Sequence, residues 1–357
     1  MREEAWARAD TLIRQKFGTV PFGDQVLFAV KQGDTAAERK LRALAPEMAG
    51  KRGRRTSGLA VETGWLLATY LEDLERAKEF TRFGTVNPIP LGLQATAHQL
   101  LANLGVAGGR WSAAEPEFAA AAAAHPDSAL IGRALAASLP FLSVPGPELE
   151  AVRGEVERWT PGRDVSSPLP EAIRPLTGQL RFYLLGLLSA RLGAAGDALR
   201  YAGEMERLPA PAESRGLVRD LGRTIRADVA AAAGRSADAL ALLDSVKAEV
   251  PFELIRLPYF SEEYARYLRS RLLHEAGREP EALRLASVAF TGTPNELHFR
   301  APTHLLLAEI HQRLGNRAVA AKEYSRFVAL WRGCDPALRP VVEGARAELA
   351  AMVAEPQ

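Results

Sequence analysis

Several things are scarce in this chain of 357 residues. There is one cysteine, Cys334, so no disulfide can form within the chain, and a reducing compartment is expected. Six histidines are scattered along the sequence, and no pair has the four-residue helical spacing of a zinc protease. Neither sign of charge dominates: 45 Lys and Arg face 43 Asp and Glu, a net charge of +2 that gives no footprint for nucleic acid. No apolar run approaches the length needed to cross a bilayer, and the charged start Met1-Arg2-Glu3-Glu4 has no hydrophobic stretch behind it. A cytoplasmic protein without membrane or nucleic-acid partners is expected. Aromatic residues are only 7% of the chain while apolar residues are 47%, which points to many thin, closely packed helices.

What the chain does have is a recurring phrase: a turn residue, four residues, then an alanine in an apolar-periodic run. It runs from Gly109 to Ala114, Gly146 to Ala151, Gly193 to Ala198, Gly234 to Ala239, Gly277 to Ala282 and Gly315 to Ala320. The glycines lie 37, 47, 41, 43 and 38 residues apart, the spacing of stacked helix hairpins. Seven residues before each glycine the first helix carries a small residue, namely Ala102, Gly186, Ala227, Ser270 or Ala308, with Leu139 the exception. Helices cross closely only where side chains are short, so a small residue facing the alanine is the predicted hairpin core. Pro126, Pro251 and Pro294 each follow a glycine by 17 residues, and Pro209 and Pro211 flank the matching place, so prolines close the second helices.

Weaker units extend the rhythm backwards. Ala77 has Glu72 where a glycine would stand, and Gln32-Gly33-Asp34 starts another turn 39 residues earlier. Eight hairpins result. Trp6 to Phe17 reads as a further, unpaired helix, which suggests a longer parent chain, and Lys51, Arg52, Arg54 and Arg55 sit in a basic loop. Ala337 to Val353, after Asp335-Pro336, reads as a capping helix that covers the last hairpin. The expected division is 1–89, degenerate helical repeats; 90–332, regular repeats; and 333–357, cap and tail.

The places of small residue, glycine, alanine, aromatic and proline resemble those of the tetratricopeptide repeat superfamily. The nearest single unit is 301–331, with Ala308, Gly315, Ala320, Tyr324 and Phe327 in family positions. The period here is nearer 40 than the family's usual value of about 34. From Arg326-Phe327-Val328-Ala329-Leu330-Trp331 onward the chain is similar to tetratricopeptide regions appended to bacterial serine/threonine kinases and transcriptional regulators. The resemblance implies an all-α solenoid with a right-handed superhelix, and a non-enzymatic scaffold that binds a protein or peptide in its groove.

Reaction apparatus is sparse. Gly105-Val106-Ala107-Gly108-Gly109 lacks the spacing and the Gly-Lys-Ser/Thr ending of a phosphate loop, so it is expected to be a hairpin turn. His304 and His311 fall where packing residues belong and are expected to be satisfied at a hairpin interface, not to bind metal. No cofactor or metal is expected. On the resemblance, the partner-binding residues are Tyr183, Tyr264, Tyr267, Arg271, His274, Glu309, Gln312 and Asn103, with the four from Tyr264 to His274 spaced along one helical face. Arg223 and Arg226, repeated as Arg266 and Arg269, form either a clamp for an acidic ligand or a solvated face neutralised by Asp220, Asp228, Glu262 and Glu263. A shift of register by one residue would exchange the two sets. A rival reading is a sensor of a small molecule or signalling peptide that controls a linked effector.

Overall fold

The structure is a computed structural model that describes Thr11 and residues 20–51, 58–161, 171–247, 262–288 and 294–354. The expected helix at Trp6 to Phe17, the basic loop's Arg52, Arg54 and Arg55, and Pro251 lie outside those residues, apart from Thr11. Seventeen α-helices are described. Contacts divide the chain into two units, Met1–Leu104 and Gly105–Gln357.

The first unit holds α1 (Phe22–Gln32), α2 (Thr35–Met48), α3 (Leu59–Leu71), α4 (Leu74–Arg82) and most of α5 (Leu91–Ala107). Helices α1 and α2 form one hairpin and α3 and α4 another. Gly33 closes α1 at φ 72°, and Asp34 caps α2 by accepting a 2.9 Å hydrogen bond from the Ala37 N–H. Glu72 takes the same left-handed conformation at φ 58°, so the non-glycine turn expected there is a turn nonetheless. Asp73 then caps α4. A Cβ on Gly64 of α3 would lie 2.0 Å from Thr81 Oγ1 and 2.8 Å from the Ala77 carbonyl, so α3 and α4 touch through a glycine and an alanine.

The second unit continues with α6 (Trp111–Ala122), α7 (Pro126–Ala137), α8 (Gly146–Arg158), α9 (Thr177–Arg191), α10 (Ala195–Arg207), α11 (Arg215–Ala232), α12 (Ser236–Asp244), α13 (Glu262–Glu275), α14 (Glu279–Ala286), α15 (Arg300–Arg313), α16 (Arg317–Leu330) and α17 (Arg339–Ala354). The pairs α9–α10, α11–α12, α13–α14 and α15–α16 pack as hairpins, and α9, α11, α13 and α15 contact one another in succession as an inner layer. Every turn glycine between these pairs has φ between 73° and 74°. Ala198, Ala239, Ala282 and Ala320 are completely buried, as is Ala114 on α6. Ser270 donates a 2.9 Å hydrogen bond to the Ala282 carbonyl, which shows the small residue of one helix seated on the alanine of the next. Gly186, expected to face the alanine of its own hairpin, does a different job between hairpins: a Cβ on it would stand 2.5 Å from Ile225 Cδ1 of the next first helix. Helix α17 covers α16 through Val342 and Ala345, and Arg317 donates to the Ala351 and Met352 carbonyls at its end.

One repeat departs from the expected pattern. Gly146 is no hairpin turn; it opens α8, Ala151 is exposed, and Val152 takes the buried place instead. The connection from α7 is therefore long, and it carries the buried Leu139 and Leu142 with Phe141 between. The uneven glycine spacings of 37 and 47 are the trace of this loop in the sequence.

The second unit also closes on itself. Helix α6 has no side-chain cap of its own, since Arg110 provides none. Asp335, 223 residues away, supplies it: its carboxylate accepts 3.1 Å from the Ser112 N–H and 2.5 Å from the Ser112 hydroxyl. The Asp335 N–H donates to the Gly109 carbonyl, and Trp331 Nε1 donates 3.1 Å to the Ala107 carbonyl. Gly109 thus does two jobs, a left-handed turn at φ 68° and a close approach, because a Cβ there would lie 3.1 Å from the Trp331 ring and from Cys334 Cβ. Gly193→Ala, with open space at φ 74°, is expected to cost about 1 kcal/mol for the left-handed backbone alone. Gly109→Ala is expected to cost at least twice that, and denaturant titration of both variants measures the difference; equal losses would mean that the contact between the ends contributes nothing.

Candidate functional site

The inner layer of the second unit gathers an aromatic cluster. Phe141, from the α7–α8 loop, meets Tyr267 of α13 at 5.3 Å between ring centroids and Phe299, just before α15, at 5.4 Å, both edge-on. Tyr267 and Tyr264 reach Phe299 in turn, at 5.8 and 6.4 Å. Edge-to-face rings at these distances attract beyond simple burial. The loop is tied down by Arg191, whose guanidinium donates 2.7 Å to the Leu142 carbonyl.

Charged groups rim this cluster. Tyr264 hydrogen-bonds Asp228 of α11, and burial holds the Asp228 carboxyl above its ordinary range against the pull of that bond and of Arg271 and Arg191. Tyr264 lies well above its usual value because it is buried beside Asp228 and Tyr183. Burial also pushes Tyr267 up to about 12, with Arg271 opposing and Glu309 and Glu275 adding to the rise. His274 Nδ1 meets Glu279 at 2.7 Å, its Nε2 lies 3.8 Å from Glu309, and Arg313 binds Glu279 and the His274 carbonyl. Glu309 is raised by burial, with His274 and Arg313 opposing. At the start of α13, Glu263 hydrogen-bonds Glu296, and burial together with that second carboxyl pushes it up to about 8 despite Arg266. His298, fully buried, is pushed down to about 3.

The residues expected at a partner surface divide into groups. Tyr183, Tyr264 and His274 are buried at 1%, 7% and 6% exposure, so they shape the inner layer from within and do not themselves face solvent. Tyr267, Arg271 and Glu309 are half-buried on the same side. Gln312 is exposed but points to the cap, where it donates to Glu348 and accepts from the Tyr324 hydroxyl. Asn103 lies buried on α5 in the first unit. The arginine ladder is largely saturated: Arg223 binds Asp220 and the Ser245 carbonyl, Arg226 forks onto Glu206 at 2.6 and 2.8 Å, and Arg269 pairs with Asp244 at 2.6 Å. Arg266, half-buried, stands beside Glu263. These arginines bind groups on their own and neighbouring helices.

His304 meets Glu323 across the α15–α16 hairpin at 2.6 Å, both buried, and His311 contacts Asn316. Burial would raise the Glu323 carboxyl, but His304 and Arg326 outweigh it and hold it low. Among the described residues no group of three or more His, Cys, Asp and Glu is placed to hold a metal ion, and no helix is long and apolar enough to cross a membrane. Phe141, Phe299 and Arg191 were not among the expected site residues, and Asp228, expected to neutralise the arginine ladder, instead hydrogen-bonds Tyr264. The one sequence signal for Phe141 was the irregular repeat that carries it; Asp228 and Phe299 join the cluster through packing between repeats.

No protein-family model and no curated protein sequence matches the chain. A solved tetratricopeptide repeat protein from Parabacteroides merdae ATCC 43184 is 15% identical, over 83% of this chain and 98% of that one, with a TM-score of 0.36. So low a score carries no argument, and the all-helical hairpin repeat rests on the chain's own geometry.

The Glu263–Glu296 pair makes the site sensitive to pH. Glu263 ionises at 4.5 when unperturbed and near 8 in the fold, so the stability it contributes is complete below 4.5 and lost as pH rises through 8. Glu263→Gln is expected to remove that dependence. Denaturation midpoints of wild type and variant should diverge between pH 5 and pH 9, the wild type falling further; parallel pH curves would contradict the shared proton.

Proposed function

We propose that the chain is a non-catalytic helical-repeat scaffold that binds a protein or peptide segment on the inner, first-helix side of its second unit. It would act as the cytoplasmic interaction or regulatory part of a bacterial signalling or transcription-regulating protein. The observation that carries this reading is the half-buried set Tyr267, Arg271 and Glu309 on adjoining first helices, set on a base of buried aromatics. Half-buried tyrosine and arginine on a rigid base are the groups that dominate binding energies, because little side-chain freedom remains to be lost. Arg271, its side chain 38% exposed, has Glu275 3.7 Å from a buried Nε, too long for a hydrogen bond, so it is the outer amino groups of its guanidinium that can meet a partner. The buried histidines His274 and His304 are engaged by carboxylates of their own hairpins, Glu279 and Glu323, which supports a binding role over a catalytic one.

The closure between residues 107–112 and 331–335 favours a second reading, a sensor of a small molecule or signalling peptide. A ligand that altered the inner layer would strain that contact and so reach a linked effector.

Random peptides displayed on phage and panned against the chain test the first reading. An enriched peptide is expected to bind wild type and to lose about tenfold in affinity, ~1.4 kcal/mol, with Arg271→Ala, while the melting temperature stays put. Tyr267→Ala is unsuitable as a probe, since it would open the aromatic cluster. Equal affinity for wild type and Arg271→Ala would remove the inner face as the binding site.

A further inference from the structure

On another face of the second unit, between the end of α10 and the start of α11, Leu208, Pro209, Ala210 and Val218 line a cleft of about 560 Å3, with Arg215, Arg219 and Glu206 at its margin. The cleft is built, not incidental. Gln179, 2% exposed, donates 2.8 Å to the Pro209 carbonyl. Leu208 sits so close to α9 that a Cβ on Gly178 would come within 2.9 Å of its methyl. The floor is therefore held in place before any ligand arrives.

The charges at the margin do not cancel. Glu206 is consumed by the two-pronged bond from Arg226. Further along α11, Arg223 is consumed by Asp220 and the Ser245 carbonyl. Arg215 and Arg219, by contrast, are exposed and have no hydrogen bond or ion pair among the described residues. Four residues apart on one helix, they share a face and can converge on one anion. The first turn of α11 contains no acidic residue, and Ser214 offers its amides no side-chain cap, so the helix start itself supplies no negative charge. The exposed Glu213 lies one turn ahead and is not among the lining residues.

We propose that this cleft binds an amphipathic organic acid, its carboxylate forked by Arg215 and Arg219 and its hydrocarbon part laid on Leu208, Pro209 and Val218. The volume falls in the range of small-molecule sites, with apolar walls and few polar groups to fix orientation. Two free guanidiniums over an apolar floor suit one carboxylate; a nucleic acid would need a row of cations, and the net charge of +2 supplies none. The site stands apart from the inner face and does not depend on the reading given for it.

The test is calorimetric titration of the whole chain with octanoate, acetate and octylamine. Octanoate is expected to bind saturably at one site, acetate at least tenfold more weakly for want of a hydrocarbon part, and octylamine not at all. Arg215→Glu with Arg219→Glu should weaken octanoate at least tenfold without changing helicity or melting temperature. Arg235→Glu, on the exposed start of α12, should leave it unchanged. If the double variant does not fold, Arg219→Lys decides, through a several-fold loss from a cation without the fork. Octanoate that fails to saturate at millimolar concentration overturns the proposal. So does octylamine binding as well as octanoate, or charge-altered variants binding octanoate as the wild type does.

Discussion

Two helices can lie against each other this tightly only where neither carries a side chain worth the name, and this protein repeats that contact along its length. Ala77, Ala114, Ala198, Ala239, Ala282 and Ala320 are each fully buried. Ala77 packs on Gly64, Ala114 on Gly105 and Ala282 beside Ser270. Interiors are packed at near-crystalline density, so a methylene added at any of these places would force the hairpin apart. Where a left-handed glycine, or Glu72, follows a first helix it sets the direction of the second, and the alanine sets its distance. Both are local requirements, which is why they recur in sequence at nearly constant spacing.

Repetition alone would yield an array with two exposed ends. In the second unit the ends are joined by Trp331, Cys334 and Asp335 packing on Ala107 to Ser112. An acceptor from the last hairpin completes a helix terminus in the first, replacing a cap that α6 lacks. A contact made across more than two hundred residues can form only after the intervening hairpins have stacked. It therefore rewards the assembled unit and not any single repeat.

The inner face is organised by the one irregular repeat. Where the others turn at a glycine, α7 and α8 are joined by a longer loop that sends Phe141 onto Tyr267 and Phe299. Around it stand Asp228, Glu263 and Glu309, carboxyls whose affinity for a proton is raised by burial and only partly offset by cations. Buried polar groups of this kind are costly unless engaged, and most here are bound to a tyrosine, a second carboxyl or a histidine. The half-exposed Tyr267, Arg271 and Glu309 differ from these, and the binding reading rests on them.

Sequence alone determined the all-helical hairpin repeat, the turn at Glu72 and the capping helix after Asp335. These follow from periodicity, from glycine's access to left-handed backbone and from proline's refusal of a helix interior, all properties of neighbours in the chain. That residues three and four apart share a side of α13 was legible as well, but not which of them stay accessible. Only the tertiary structure decided that Tyr183, Tyr264 and His274 are enclosed. It alone showed that Arg223, Arg226 and Arg269 bind carboxylates of their own or adjacent helices, that Arg215 and Arg219 do not, and that Asp335 caps α6. Each of those outcomes turns on which surfaces meet between repeats, and distances between surfaces are set by packing, not by spacing along the chain.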